Sequence, residues 1–366
     1  MTGALEPTLD RAAYLDHGVF AIERDRIFAR EWCVVGRATE ARRSGDFFTV
    51  ELVGESLIIV RGDDHRLRAF FNVCRHRGAQ LIDPDDAHDG HVAGALRCPY
   101  HSWTYGLDGA LKRAPFLDDI DVSAIALHEA GCEEWGGFVF ICFEPHAAPS
   151  LADQLGAIPN RVQRYPLSEL VIGTRIVYAV AANWKVIAEN YNECYHCGSV
   201  HPALCDVVPA FRARGGAALD WDRGIPHRDG AWTLTRSGTT NRAPFPGLDE
   251  IERTHHKGEL AYPNFFLSLA AEHVAAFALF PVDAGHTRIV FDALFHPDAV
   301  NATDFDPSDA VDLWDITNRE DWRICERVQR GMQSRTWQHG FFAPMEDLSL
   351  DLRRWYEPRM ARVDDA

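Results

Sequence analysis

The stretch Glu189–Pro202, ENYNECYHCGSVHP, sets two glutamates, two cysteines and two histidines within fourteen positions. Glu193 and His196 stand three apart, so a helix puts both on one face. His201, five beyond His196, would sit about 140° further round an ideal helix. The spacing predicts a helix that ends at Gly198 and is kept from resuming by Pro202, so that His201 swings back toward His196 from the following loop. Two neutral imidazoles and one carboxylate, with positions left open, make the facial triad suited to Fe(II) and O2 chemistry.

The third ligand has to come from elsewhere, and the C-terminal stretch Ser308–Met332 supplies the candidates. Val311, Trp314, Asn318, Asp321, Cys325 and Val328 recur at three and four, which puts Asp321 on a largely apolar helical stripe. A buried carboxylate without a partner is strongly unfavourable, and a metal removes that penalty. Glu320 competes, because Leu313, Ile316 and Ile324 flank it on its own face. Periodicity leaves the two open. Two rival readings of the opening stretch are a zinc knuckle built from Cys194, His196, Cys197 and His201, and a metallohydrolase with Glu193 as general base beside a histidine-bound zinc. A knuckle would crowd four ligands into eight residues, so Cys194 and Cys197 read instead as small buried side chains beside the metal.

A second constellation lies upstream. Cys74 and His76 form a C-x-H pair in CRHRGAQL, and Cys98 and His101 form a C-x-x-H pair in CPYHSW. Two loops that each donate one cysteine and one histidine match a Rieske-type [2Fe-2S] cluster, in which two cysteines bind one iron and two histidines the other. Structural zinc is the alternative for the same four side chains, although zinc pairs more often read C-x2-4-C and H-x3-5-H. Pro99, Tyr100 and Trp103 suggest a rigid, shielded loop. The metallohydrolase reading leaves these loops unexplained.

These residues need a scaffold, and 366 residues with 46% hydrophobic, 25% charged and 11% aromatic content allow two domains with a sizeable core. The net charge of -17 argues against a nucleic-acid surface. Phe265–Phe280, the most apolar region, is broken by Glu272 and His273 and is too short for a membrane helix. Met1–Gly18 does not read as a signal peptide. Nine cysteines, an odd number scattered from Cys33 to Cys325, make no disulfide framework and fit a reducing cytoplasm.

From Asp46 to Phe143, short apolar runs between turns predict an all-β region, with a hairpin at Asp108-Gly109. Beyond it come a strand in RIVYAVAA, a helix N-capped by Asn183 with Trp184, Ile187, Ala188, Tyr191 and Tyr195 on one face, and a loop-rich region 215–258 in which AWTLTRS reads as a strand. Antiparallel strands follow in YPNFFLSLA, HVAAFALFPV and TRIVFDALFHP, then one long helix and a polar tail.

In this order, the two motifs make the sequence similar to the α subunits of Rieske non-haem iron oxygenases across most of its length. The resemblance implies an α+β chain: an N-terminal segment 1–45 packing on the catalytic domain, an all-β Rieske domain 46–147, and a helix-grip catalytic domain 148–366 with a curved antiparallel sheet. It implies that Cys74, His76, Cys98 and His101 hold a [2Fe-2S] cluster and that His196, His201 and Asp321, preferred on this ground over Glu320, hold Fe(II). Glu193 matches the acidic residue that joins the two centres through a histidine of each. Departures from the common pattern are Glu193 in place of aspartate, a Glu189–His196 segment one residue shorter than in the naphthalene dioxygenase type, 21 residues between His76 and Cys98 with DPDDAHDG as the insertion, and HSW in place of HGW. The insertion is expected as an exposed loop. The wording ENYNECYHC...HP resembles the branch acting on quaternary ammonium compounds such as glycine betaine, carnitine and stachydrine.

The expected activity is O2-dependent hydroxylation or N-demethylation of such a cation, with aromatic-ring hydroxylation or O-demethylation on the same scaffold as the alternative. Trp221, Trp232, Tyr262, Phe265 and Phe266 could face the cation. Asn183, Trp184 and Asn190 read as helix supports or pocket residues. A homotrimer is implied, with a hexamer also open. NAD(P)H would act only through a separate flavin/iron-sulfur reductase, because the sequence has no G-x-G-x-x-G fingerprint. An electron carrier without catalysis is disfavoured by the roughly 220 residues beyond the cluster loops.

Overall fold

The structure, a computed structural model, describes residues 5–84, 88–217 and 219–362. Two compact units divide it: Phe28–Gln154, and Met1–Ile27 together with Leu155–Ala366. Residues 28–45, expected with the N-terminal segment, belong to the first of these, because strand β1 (Cys33–Arg37) pairs inside its sheet.

In the Phe28–Gln154 unit, β1, β2 (Asp46–Leu52), β3 (Glu55–Arg61), β4 (Leu67–Phe71), β5 (Asp89–His91), β9 (Glu129–Trp135) and β10 (Phe138–Cys142) form one antiparallel sheet in the order β1-β10-β9-β4-β3-β2-β5. The strands β6 (Ala95–Arg97), β7 (Thr104–Gly106) and β8 (Leu111–Arg113) form a second. Asp108-Gly109 makes the predicted turn between β7 and β8, with Gly109 at φ 80°, where a side chain is disfavoured and an added Cβ would lie 2.6 Å from the Phe70 ring. Ile58, Phe70, Leu96 and Tyr105 pack beneath Cys74 and Cys98 in one core. Within the insertion DPDDAHDG, 85–87 lie outside the described residues, and His88, Asp89 and Gly90 are exposed.

The other unit is built on a curled antiparallel sheet, matching the α+β expectation. Its strands are β11 (Val171–Val180), β12 (Ile225–Pro226), β13 (His255–Ala261), β14 (Phe265–Leu269), β15 (His273–Asp283) and β16 (His286–Phe295), in the order β11-β16-β15-β14-β13-β12. AWTLTRS is not a strand. The Thr233 hydroxyl donates to the distant Glu272, and the Thr235 hydroxyl to the Thr239 carbonyl, a side-chain bond that holds a turn in place of a ladder. The helices that carry the site are α1 (Trp184–Tyr191), α2 (Cys197–Val200), α3 (Pro202–Val207) and α4 (Ser308–Met332), the last with the predicted bounds. The chain does not end in a tail directly after α4, because α5 (Asp347–Met360) follows. Trp314 of α4 meets Phe277 of β15 at 5.9 Å and Phe291 of β16 at 6.4 Å, which lays the helix on the sheet.

Helix α1 is pinned by a buried ion pair. Asn183 caps it as predicted, accepting from the Lys185 amide, while its Nδ2 donates to the Tyr14 and Ala284 carbonyls. Lys185 Nζ donates to Glu23 at 2.6 Å, both side chains being fully buried, and Glu23 also receives the Trp184 indole and the Tyr356 hydroxyl. Burial lowers the Lys185 pKa and Glu23 opposes that shift. The rings of Trp184, Tyr356 and Tyr14 stand 5.0 to 5.8 Å from the ammonium. Removing one member leaves the other charge uncompensated. Lys185→Met should therefore cost about 3–5 kcal/mol in denaturant unfolding, and Glu23→Gln combined with it less than the sum of the two. A single-variant loss below about 1 kcal/mol would contradict this account.

Candidate metal centre and its cavity

Helix α1 stops at Tyr191, so Glu193 and His196 lie in a turn beyond it and not on the continuous helix that their spacing suggested. Two anchors hold the end of the helix. The Tyr191 hydroxyl donates to the Leu267 carbonyl, and Asn192 Nδ2 donates to the Tyr262 hydroxyl. The Glu193 carboxylate then accepts from the backbone amides of Tyr195 and His196, a local bond that competes with further helical winding. Gly198 lies inside α2 instead of ending a helix. Pro202 opens α3, at the first helical position, where its missing N–H costs no helical bond. His201 sits at the junction of α2 and α3, fully buried.

The turn and the junction bring the two imidazoles together. His196 Nε2 and His201 Nε2 are 3.1 Å apart, and Asp321 Oδ1 lies 3.1 Å from the first and 2.9 Å from the second. All three donor atoms fall within 4.8 Å of one another, close enough to bind one ion. Glu320, one residue earlier on α4, turns instead to the far side of His201 and meets its Nδ1 at 2.9 Å. Glu193 meets His196 Nδ1 at 2.5 Å. Each imidazole thus has a carboxylate behind it, which leaves Nε2 as the nitrogen directed to the shared point. Burial lowers the His196 pKa, but Asp321 and Glu193 outweigh it and push it up to about 10. A divalent ion would compete with protons for this negative point. Two His and one Asp with open positions fit Fe(II).

Cys194 and Cys197 are buried, as expected, but they are joined by a disulfide and are not free thiols. The turn brings their Cα atoms to 4.8 Å, within disulfide reach. Sulfurs bound to each other offer no thiolate, which excludes the zinc knuckle.

A cavity of about 430 Å³ opens on the three donors. Trp221 and Tyr262 line it, as do Phe211, Phe277 and Trp314, which sequence reasoning missed, whereas Phe265 and Phe266 are buried strand core. Asn190 reaches both the cavity and His196 Nε2, at 3.4 Å; Asn183 and Trp184 act as helix supports. Trp314 is held in place from behind. Its indole donates to His273 Nε2 at 3.0 Å, which puts the His273 proton on Nδ1, where it donates to Glu272 at 2.6 Å. Burial favours a protonated Glu272, but His273 and Arg242 prevail and hold its pKa down to about 2.

In the Phe28–Gln154 unit, each predicted cluster pair sits on a tight turn. Cys74 N donates to the Ala79 carbonyl, and Cys98 N to the Trp103 carbonyl. Both cysteines are buried, and the Tyr105 hydroxyl lies 3.3 Å from Cys74 Sγ. His76 and His101 are exposed with ring centres 4.7 Å apart, and His76 stacks on Trp103 at 4.9 Å. A sulfur side turned inward and an imidazole side turned to the surface suit a cluster that exchanges electrons. Ser102, the serine of HSW, takes φ 63°, the left-handed conformation that glycine adopts at least cost, and its hydroxyl accepts from Arg97.

Comparison with known proteins gives the family. Residues 31–124 match the Rieske [2Fe-2S] domain, and residues 167–362 match the catalytic domain of the ring hydroxylating alpha subunit. The chain is similar to the glycine betaine monooxygenase oxygenase subunit of Pseudomonas aeruginosa, with 29% identity over 96% of this chain and 89% of that one. It is 32% identical to the carnitine monooxygenase oxygenase subunit of Escherichia coli over 90% of this chain and 85% of the other. The crystal structure of the quaternary ammonium Rieske monooxygenase CntA in complex with L-carnitine superposes with a TM-score of 0.74 and 28% identity, covering 96% of each chain.

The split between Glu320 and Asp321 gives a direct test. Asp321→Ala should lose the mononuclear iron while the iron and acid-labile sulfide of the cluster persist. Glu320→Gln should keep the ion but bind it about 10- to 100-fold more weakly. Metal analysis after dialysis against a chelator reads both, and equal retention by Asp321→Ala and wild type would remove Asp321 from the site.

Proposed function

Because this chain belongs to the ring-hydroxylating oxygenase α subunits and carries their Rieske domain, we propose that it is the oxygenase component of a two-protein monooxygenase acting on a small quaternary ammonium compound such as a betaine or carnitine. In this reading Cys74, His76, Cys98 and His101 hold the [2Fe-2S] cluster, and His196, His201 and Asp321 hold one Fe(II). When bound, the cluster supplies single electrons and the mononuclear iron activates O2. One oxygen atom enters a C–H bond next to nitrogen. The other leaves as water, with two protons and two electrons that originate in NAD(P)H. The hydroxylated carbon then parts from nitrogen as an aldehyde.

The observation that carries this reading is the aromatic cavity opening on the triad. Faces of Trp221, Tyr262, Phe211 and Trp314 suit a cation that cannot donate hydrogen bonds. Glu259, Asp222 and Asp351 on the wall outnumber Arg161, which favours positive charge. The names of the relatives point the same way. Electrons reach the chain from a separate flavin/iron-sulfur reductase, since the sequence has no dinucleotide fingerprint. Among the described residues no helix is long and apolar enough to cross a membrane. The working assembly is a homotrimer in which Glu193, held against His196, relays the electron from the neighbouring subunit's cluster.

Incubation with reductase, NADH and a panel of betaines, carnitine and simple aromatic acids tests the proposal by mass spectrometry. A quaternary ammonium compound should be consumed with release of aldehyde, and turnover of the aromatic acids alone would overturn the reading. Glu193→Gln should retain the visible spectrum of the cluster and lose turnover by about 10- to 100-fold or more. Undiminished turnover would remove Glu193 from the relay.

A further inference from the structure

Among the described residues, most polar side chains of the cavity are engaged in hydrogen bonds or ion pairs. Arg161 and Glu259 form a two-point ion pair, with Nε donating at 2.7 Å. The Tyr191 and Ser268 hydroxyls lie 2.8 Å apart, and Asn192 is bonded to Tyr262. The Thr317 hydroxyl donates to the Leu313 carbonyl, and Asn318 Nδ2 to the Tyr178 hydroxyl. Two differ. The Trp322 indole Nε1 is buried without a hydrogen-bond partner. The His256 side chain lines the cavity from β13 and is 5% exposed, and its Nδ1 is buried without any hydrogen-bond partner.

The surroundings of His256 fix its form. Phe211, Trp221 and Trp314 stand 5.9 to 6.2 Å from its ring centre. Burial first, then the neighbouring His227 and His273, lower its pKa to about 3, so the ring is neutral at ordinary pH. A neutral imidazole has one N–H and one bare nitrogen. Leaving a buried N–H unpaired is the costlier choice, so the sealed Nδ1 is the bare one and the proton sits on Nε2. With Nδ1 sealed, Nε2 is the nitrogen that a bound molecule reaches.

We propose that His256 is a substrate-binding residue whose Nε2–H donates to an acceptor oxygen carried by the substrate apart from its ammonium group. The enzyme then prefers quaternary ammonium compounds bearing a carboxylate or hydroxyl oxygen over plain alkylammonium ions of the same shape. This rests on the quaternary ammonium reading of the cavity and narrows it. The aromatic faces take the methylated nitrogen, which offers no hydrogen bond, and His256 takes the oxygen, whose absence would leave a desolvated N–H unpaired.

Matched ligands test it on the holoenzyme without any mutation. γ-Butyrobetaine carries only a carboxylate and is compared with butyltrimethylammonium; choline carries only a hydroxyl and is compared with propyltrimethylammonium. Binding is read by quenching of tryptophan fluorescence, and turnover by kcat/KM with reductase. We expect one oxygen-bearing ligand to exceed its partner by about tenfold or more, and which pair shows the gap identifies the oxygen. His256→Leu should abolish that gap by lowering only the oxygen-bearing ligand, and His256→Gln, which keeps a donor, should restore part of it. Equal values within both wild-type pairs, or a His256→Leu loss shared equally by both members of a pair, would overturn the assignment while leaving the quaternary ammonium reading standing. Failure of all four ligands to bind or turn over would overturn both.

Discussion

Two carboxylates placed behind two imidazoles decide what this site can be. Glu193 and Glu320 take the Nδ1 atoms of His196 and His201, and that fixes which nitrogen of each ring faces Asp321. Without them each ring could rotate or exchange tautomers, and three donors would not meet at one point. The folding of the Glu193–Val207 stretch follows from the same need. A continuous helix would carry His201 away from His196, so the chain breaks into a turn, a four-residue helix and a second short helix begun by Pro202.

The adjacent pair Glu320-Asp321 shows how one helix serves both roles. Neighbouring helical residues diverge by about 100°. Asp321, the shorter side chain, meets both Nε2 atoms, while the longer Glu320 goes round to the back of His201. Their order along the helix is what separates the side chain at the shared point from the one behind His201.

Much of this was legible in the sequence, for identifiable reasons. The cluster loops declare themselves because each must bring a cysteine and a histidine within a few residues, and α4 is readable because 25 residues keep one period. Choosing between Glu320 and Asp321 was beyond periodicity, since apolar neighbours flank both. Strand β9, EAGCEEW, carries three glutamates and has no apolar alternation to find. Helix α5 reads as a tail because it is polar and contains Pro358. AWTLTRS misled in the other direction, its threonines giving their hydroxyls to Glu272 and to the Thr239 carbonyl. The surroundings of His256 come from Phe211, Trp221 and Trp314, which together span more than a hundred positions of sequence, so no local window reveals them.

The Glu23 carboxylate gathers Trp184, Lys185 and Tyr356 around itself, from three stretches of chain up to 333 positions apart. The unit that houses His196, His201 and Asp321 is therefore discontinuous, interrupted by the whole of 28–154. On a ribosome the interrupting unit is synthesised complete and can fold first, while the opening 27 residues wait for the last helix to emerge. Trimming or tagging that opening segment acts on the floor beneath α1, and so reaches the candidate metal centre some 170 residues downstream.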